Sequence, residues 1–145
     1  YVPRVGFAGT DTFTYVVTDG TATDSGTVTV AVGALPRLSI AAASVSEGNS
    51  GTTAVDVTVT LSGPSGTTVA VDWSTAPGSA TAPADFVAAS GRLEFAPGAT
   101  TGLIALQVVG DTRFEANESF AVNLANPSGA TLAVGQAAVT IVNDD

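Results

Sequence analysis

Apolar and polar residues alternate with a period of two along nearly the whole chain. AVDVTVTL (54–61) sets Val55, Val57, Val59 and Leu61 on one side and Asp56, Thr58 and Thr60 on the other. TVAVDWS (68–74) repeats the pattern with Val69, Val71 and Trp73, GRLEF (91–95) with Leu93 and Phe95, and LIALQVV (103–109) with Ile104, Leu106 and Val108. ESFAVNL (118–124) adds Phe120, Val122 and Leu124, and RLSIAAASV (37–45) and TLAVGQAAVTIV (131–142) complete seven strand candidates. Gly135 interrupts the last of these and predicts a bulge or bend. No stretch holds a 3.6-residue apolar stripe for the ten or so residues a helix needs.

Gly, Pro, Asn and Ser punctuate the gaps in SGPSG, APGSA, APGAT and ANPSGA. Seven short alternating strands over residues 37–145 predict an all-β fold, a seven-stranded antiparallel β-sandwich of immunoglobulin-like type. Upstream, TFTYVVT (12–18) and TVTVAV (27–32) flank Asp19-Gly20 and predict a β-hairpin. A hairpin alone cannot bury its apolar face on both sides. Residues 1–32 therefore read as the end of an incomplete domain, joined through GALP (33–36) as a linker. The start at Tyr1, without an initiator Met, reads as a processed or cut chain.

Composition narrows the chemistry. Charged residues make up 12% of the chain, about half the usual share, and Thr, Ala, Val, Gly and Ser fill the difference. His, Cys, Met and Lys are absent, and the four basic residues are all Arg. The commonest general bases and nucleophiles are thus missing, as are thiolate and imidazole metal ligands, so a non-catalytic protein is expected. The net charge of −9 repels nucleic acid phosphates. No apolar run is long enough to span a bilayer and no signal peptide is read in these residues, so no membrane insertion is expected. The lack of Cys says nothing about compartment.

The acids are not evenly spread. If successive strands run up and then down, the loops after strands one, three and five and the exit of strand seven share one end. Those places hold Glu47, Asp85, the cluster Asp111, Glu115 and Glu118, and Asp144 and Asp145. The loops of the opposite end carry no acid. Carboxylates held together repel and raise one another's pKa unless a cation compensates them. With almost no cations in the chain, an external one is the natural compensator, and a donor set of oxygens alone selects Ca²⁺.

The blocks VSEGNSGTTAVDVTVTLSGPSGTTVAVDWSTAPGSATAPADF, GRLEFAPGAT, GDTRFEANESFAVNLANPSGATL and VTIVNDD, in that order, resemble the Calx-β domain over residues 37–145. That module recurs in sodium–calcium exchangers, in integrin β4 and in large bacterial surface proteins. The resemblance implies a sandwich that binds Ca²⁺ at its distal loops, with ligand positions at Glu47, Asp111, Glu115, Glu118, Asp144 and Asp145. Pro77 stands where the family often has Asp, and Gly110 and Asn143 stand where exchanger domains carry further aspartates. One or two weak sites are therefore expected rather than a larger cluster. GFAGTDTFTYVVTDGTATDSGTVTVAV resembles the last two strands of a bacterial cadherin-like or immunoglobulin-like repeat.

Simpler readings stand beside these. Glu47 keeps a turn soluble, Asp85 and Asp111 cap turns through backbone amides, Glu118 faces solvent, and Asp144 and Asp145 fray. Trp73 belongs to the core, and Asp56 and Asp72 lie on outward faces. Taken together, the residues and the resemblance predict a calcium-binding structural or adhesive repeat of a secreted or cell-surface bacterial protein. Its partners are neighbouring modules or identical subunits, with a surface or glycan ligand unspecified. The alternative is a filament subunit assembled by N-terminal strand complementation.

Overall fold

The structure, a computed structural model, describes Val2, Arg4 and residues 7–145. Tyr1, Pro3, Val5 and Gly6, at the head of the expected incomplete domain, lie outside the described residues. The chain divides into two compact units, Tyr1–Leu35 and Pro36–Asp145.

In the first unit, β1 (Gly9–Thr18) and β2 (Thr23–Val32) pair antiparallel from Gly9↔Val32 to Thr18↔Thr23. The turn forms because the Asp19 Oδ1 accepts bonds from the amides of Thr21 (2.8 Å) and Ala22 (2.7 Å). Those bonds favour the ionised form and hold Asp19 below the usual aspartate pKa. Tyr15 lies opposite Gly26, and its ring fills the space a side chain at 26 needs: a Cβ there would meet the ring at 2.5 Å. Strand alternation sets Phe13, Tyr15, Val17 and Val28 on one face, all of them exposed within this unit.

The second unit comprises β3 (Arg37–Ile40), β4 (Ala43–Ser46), β5 (Thr52–Leu61), β6 (Val69–Ala76), β7 (Ser90–Phe95), β8 (Thr101–Val109), β9 (Glu118–Ser128), β10 (Thr131–Val134) and β11 (Gln136–Val142). A four-stranded sheet runs β10-β3-β5-β8 and a five-stranded sheet runs β4-β11-β9-β6-β7. The inward rows read from the sequence meet between them: Val55, Val57, Val59 and Leu61 against Ile104, Leu106 and Val108, with Val69, Val71, Phe120, Val122 and Leu124 from the facing sheet. Each such side chain contributes about 1.5–3 kcal/mol on burial, so this core holds the sandwich together.

Two predicted strands are each divided. The first breaks at Ala41-Ala42 and the last at Gly135, so each serves one sheet and then the other. As a result β10 pairs parallel with β3 and β11 parallel with β4, while the remaining pairs are antiparallel. Trp73 is half-buried rather than enclosed, with Gly91 directly against its indole. On the outer face Arg92 binds Asp72 at 2.9 Å and lies 3.6 Å from Glu94. The bonds to Asp72 from Asn126 and from Arg92 lower its pKa. No helix among the described residues is long and apolar enough to cross a membrane.

Candidate metal centre

Strand register brings the acids together. Ser46 pairs with Val142, Ile141 with Glu118, and Thr52 with Val109. At one end of the sandwich, therefore, β4, β8 and β11 finish while β5 and β9 begin. Glu47 follows β4, the loop 110–117 leaves β8, Glu118 opens β9, and Asn143-Asp144-Asp145 leave β11.

Backbone contacts lock this end. The Glu47 amide donates to the Val142 carbonyl (3.2 Å), the Thr53 hydroxyl to the Glu47 carbonyl (2.7 Å), and the Gly110 amide to the Gly51 carbonyl (3.0 Å). Gly110 lies flat against the Glu47–Gly48 backbone: a Cβ there would sit 2.0 Å from the Gly48 oxygen and 2.6 Å from that of Glu47. The residue that the resemblance marked as a missing carboxylate is thus a contact point between two loops that excludes any side chain.

Glu47 is the buried charged residue among those described, at 8% exposure. Burial first, then the charges of Asp111, Asp145, Glu115 and Asp144, push its carboxyl above the usual glutamate range. Its surroundings are held in place rather than frayed. Asp144 Oδ1 accepts the Gly48 amide at 3.0 Å, and Asp145 accepts the Asn49 side-chain amide. Asp111 Oδ1 accepts the Arg113 amide at 2.7 Å, the turn-capping bond expected of it. Asn143 joins the loop to the C-terminal segment: its Oδ1 accepts the Glu115 amide (3.0 Å) and its own amide donates to Asn117 Oδ1 (3.2 Å).

A second compartment lies beside the first. Asp85, Glu115 and Glu118 each offer a carboxylate oxygen, and the three oxygens lie within 4.8 Å of one another. Burial, then the charge and hydrogen bond of Asp85 and the charge of Glu115, raise the pKa of Glu118. Glu115 is thus common to both compartments, whereas Glu118 sits with Asp85. Asp85 was absent from the ligand set implied by resemblance. It also caps its own turn, its Oδ2 accepting the Thr81 amide at 2.7 Å, so the capping reading holds beside its place in the cluster. Its signal in the sequence was position alone, in the loop after the third predicted strand.

One basic side chain reaches this end among the described residues: Arg113 Nε lies 3.3 Å from Glu115 Oε1. It was not singled out in the sequence, where an arginine in a loop carries no distinguishing pattern. One guanidinium among seven carboxylates leaves most of the charge uncompensated. The ligand atoms these seven side chains offer are all hard carboxylate oxygens, and that set fits a divalent cation of the calcium class.

Residues 37–145 match the Calx-beta domain family. The chain belongs to that family. A Calx-beta relative, the sodium/calcium exchanger Calx of Drosophila melanogaster, is 37% identical over 91 residues. The match covers 62% of this chain and 10% of the exchanger, so the chain spans about a tenth of that relative's length. Among solved Calx-beta structures, the apo-form Calx CBD1 domain aligns with a TM-score of 0.70 at 34% identity, covering 77% of this chain and 99% of that one. The calcium binding domain CBD12 of CALX1.1 aligns at 0.69 and 34% identity over 75% of this chain and 46% of its own. Outside the Calx-beta domain, residues 1–31 match a bacterial Ig domain family.

Proposed function

We propose that the Calx-beta unit binds Ca²⁺ at the acidic end through Glu47, Asp111, Glu115, Glu118, Asp144 and Asp145, with Asp85 as a seventh oxygen ligand. The observation that carries the reading is Glu47, a buried carboxylate facing four others. A cation that removes this repulsion also ties four chain segments to one point. The relatives support the choice of ion, being named for a sodium/calcium exchanger and a calcium binding domain. The domain acts as a non-catalytic repeat of a secreted or cell-surface bacterial protein, stiffened at one end by Ca²⁺ and contacting neighbouring modules. The bacterial Ig match over 1–31 supports such a modular chain.

At about 1 mM free ion and a dissociation constant near 0.1 mM, linkage adds about 1.4 kcal/mol. That is small beside the core, so calcium orders loops rather than folding the domain. Calorimetric titration of the whole chain, with melting curves in calcium and in EDTA, tests the reading. Absence of binding heat together with coincident melts overturns it.

A second reading rests on the β1–β2 hairpin, whose Phe13, Tyr15 and Val17 are 48%, 49% and 55% exposed within their unit. Donated to the sheet of an identical subunit, these N-terminal strands complete the neighbour's fold, bury that face and build a filament. Sizing of the chain with and without residues 1–36 tests it: a monomer in both cases removes the filament.

A further inference from the structure

We infer that Arg113 is a tethered counter-cation that competes with the bound metal for Glu115 and thereby sets how tightly this end holds calcium. The inference rests on the metal reading above and concerns its regulation.

Arg113 and Glu115 share one loop, and the guanidinium Nε sits 3.3 Å from Glu115 Oε1. Glu115 is the carboxylate common to both acidic compartments, since its charge acts on Glu47 and on Glu118, and it supplies an oxygen to the Asp85–Glu118 group. A cation taking the Glu115 carboxylate must displace the guanidinium or tolerate its positive charge at close range. The other basic residues of this unit are engaged or remote. Arg92 is bound to Asp72 and close to Glu94 on the sheet face, and Arg37 opens β3 at the opposite end.

Arg113 is 79% exposed, so its pair with Glu115 contributes little to folding. Its backbone anchor is independent of its charge, because the Arg113 amide donates to Asp111 Oδ1. Changing the side chain therefore alters the charge and leaves the loop's turn in place. The long flexible stem lets the head swing into solvent once the carboxylate is taken.

The test is calorimetric calcium titration of the full chain as R113Q, R113K and R92Q, at low and at high salt. R113Q is expected to bind calcium about 3–10-fold more tightly at low salt, the effect of removing one positive charge beside a divalent ion, and the gain is expected to shrink at high salt. R113K stays near the unaltered chain. R92Q, which changes net charge equally but on the sheet face, shows no comparable gain. In EDTA, R113Q melts no higher than the unaltered chain, because Glu115 loses its one cation. If the unaltered chain binds calcium and R113Q binds no tighter, or R92Q gains as much, the inference fails while the metal reading stands. If the unaltered chain shows no calcium heat, the metal reading itself fails.

Discussion

Phe86 and Phe120 stack face to face, with ring centroids 4.2 Å apart and planes 8° from parallel. Both rings are fully buried, and each lies directly next to the acidic end in sequence, Phe86 after Asp85 and Phe120 two residues after Glu118. The pair anchors two carboxylates of one compartment to the core. Phe86→Leu is expected to cost about 2 kcal/mol, combining the imperfect volume swap with the lost ring contact. It is also expected to weaken calcium binding. Urea denaturation and calorimetry on the same sample check both effects, and unchanged affinity in a destabilised protein removes the anchoring role.

Gly110 yields a prediction opposite to the one its family position suggests. An aspartate there adds a carboxylate to the cluster, yet its Cβ meets the Gly48 and Glu47 carbonyl oxygens at 2.0 and 2.6 Å. Gly110→Asp is therefore expected to destabilise the domain by about 1–3 kcal/mol and to weaken calcium binding. Gly110→Ala should cost a similar amount, which separates crowding from charge. A stable Gly110→Asp protein with tighter calcium binding contradicts the geometry.

Glu47→Gln keeps the shape of the buried side chain and removes its charge. In EDTA the variant should melt higher than the parent, because four carboxylates no longer face a fifth. In calcium it should lose at least about tenfold in affinity, since the ligand set loses a negative charge. Differential scanning calorimetry in the two buffers reads both signs at once.

Acid should stabilise the EDTA-treated protein. Glu47 and Glu118 have folded pKa values above their unfolded ones. The native state therefore holds more protons between those values, and stability falls as pH rises through the folded pKa values. Lowering the pH from neutrality toward the ordinary glutamate value of 4.5 should raise the urea midpoint in EDTA. In saturating calcium the trend should reverse, because the metal requires the ionised carboxylates. Parallel pH profiles in the two buffers contradict this account.

Wherever alternation alone decided burial, the fold was legible in the sequence. The rows Val55–Leu61, Ile104–Val108 and Phe120–Leu124 face the core as read, since a half-buried strand must alternate. Phe86 was missed because it lies outside any alternating run, in a loop that bridges to Val108 through a single backbone pair. The break at Ala41-Ala42 has no Gly or Pro to mark it, unlike the one at Gly135. Strand parity was enough to gather the acids at one end. The contact of Asp85 with Glu115 and Glu118 and the approach of Arg113 to Glu115 depend on how the loops fold back, which no periodicity encodes. At Gly110 the family pattern pointed to a lost ligand, whereas a backbone approach with no sequence signature governs the position.

The parallel pairs β3–β10 and β4–β11 determine how the domain meets a pulling force. The first and last strands of the sandwich point the same way, so tension drawn outward at Arg37 and at Val142 acts along them in opposite directions. Their hydrogen bonds are then strained together in shear instead of opening one after another. The Glu47–Val142, Gly48–Asp144 and Asn49–Asp145 bonds continue that clamp beyond the strands, into the acidic end itself. A cation held there lies on the line of force, where a modest binding energy resists the first step of rupture.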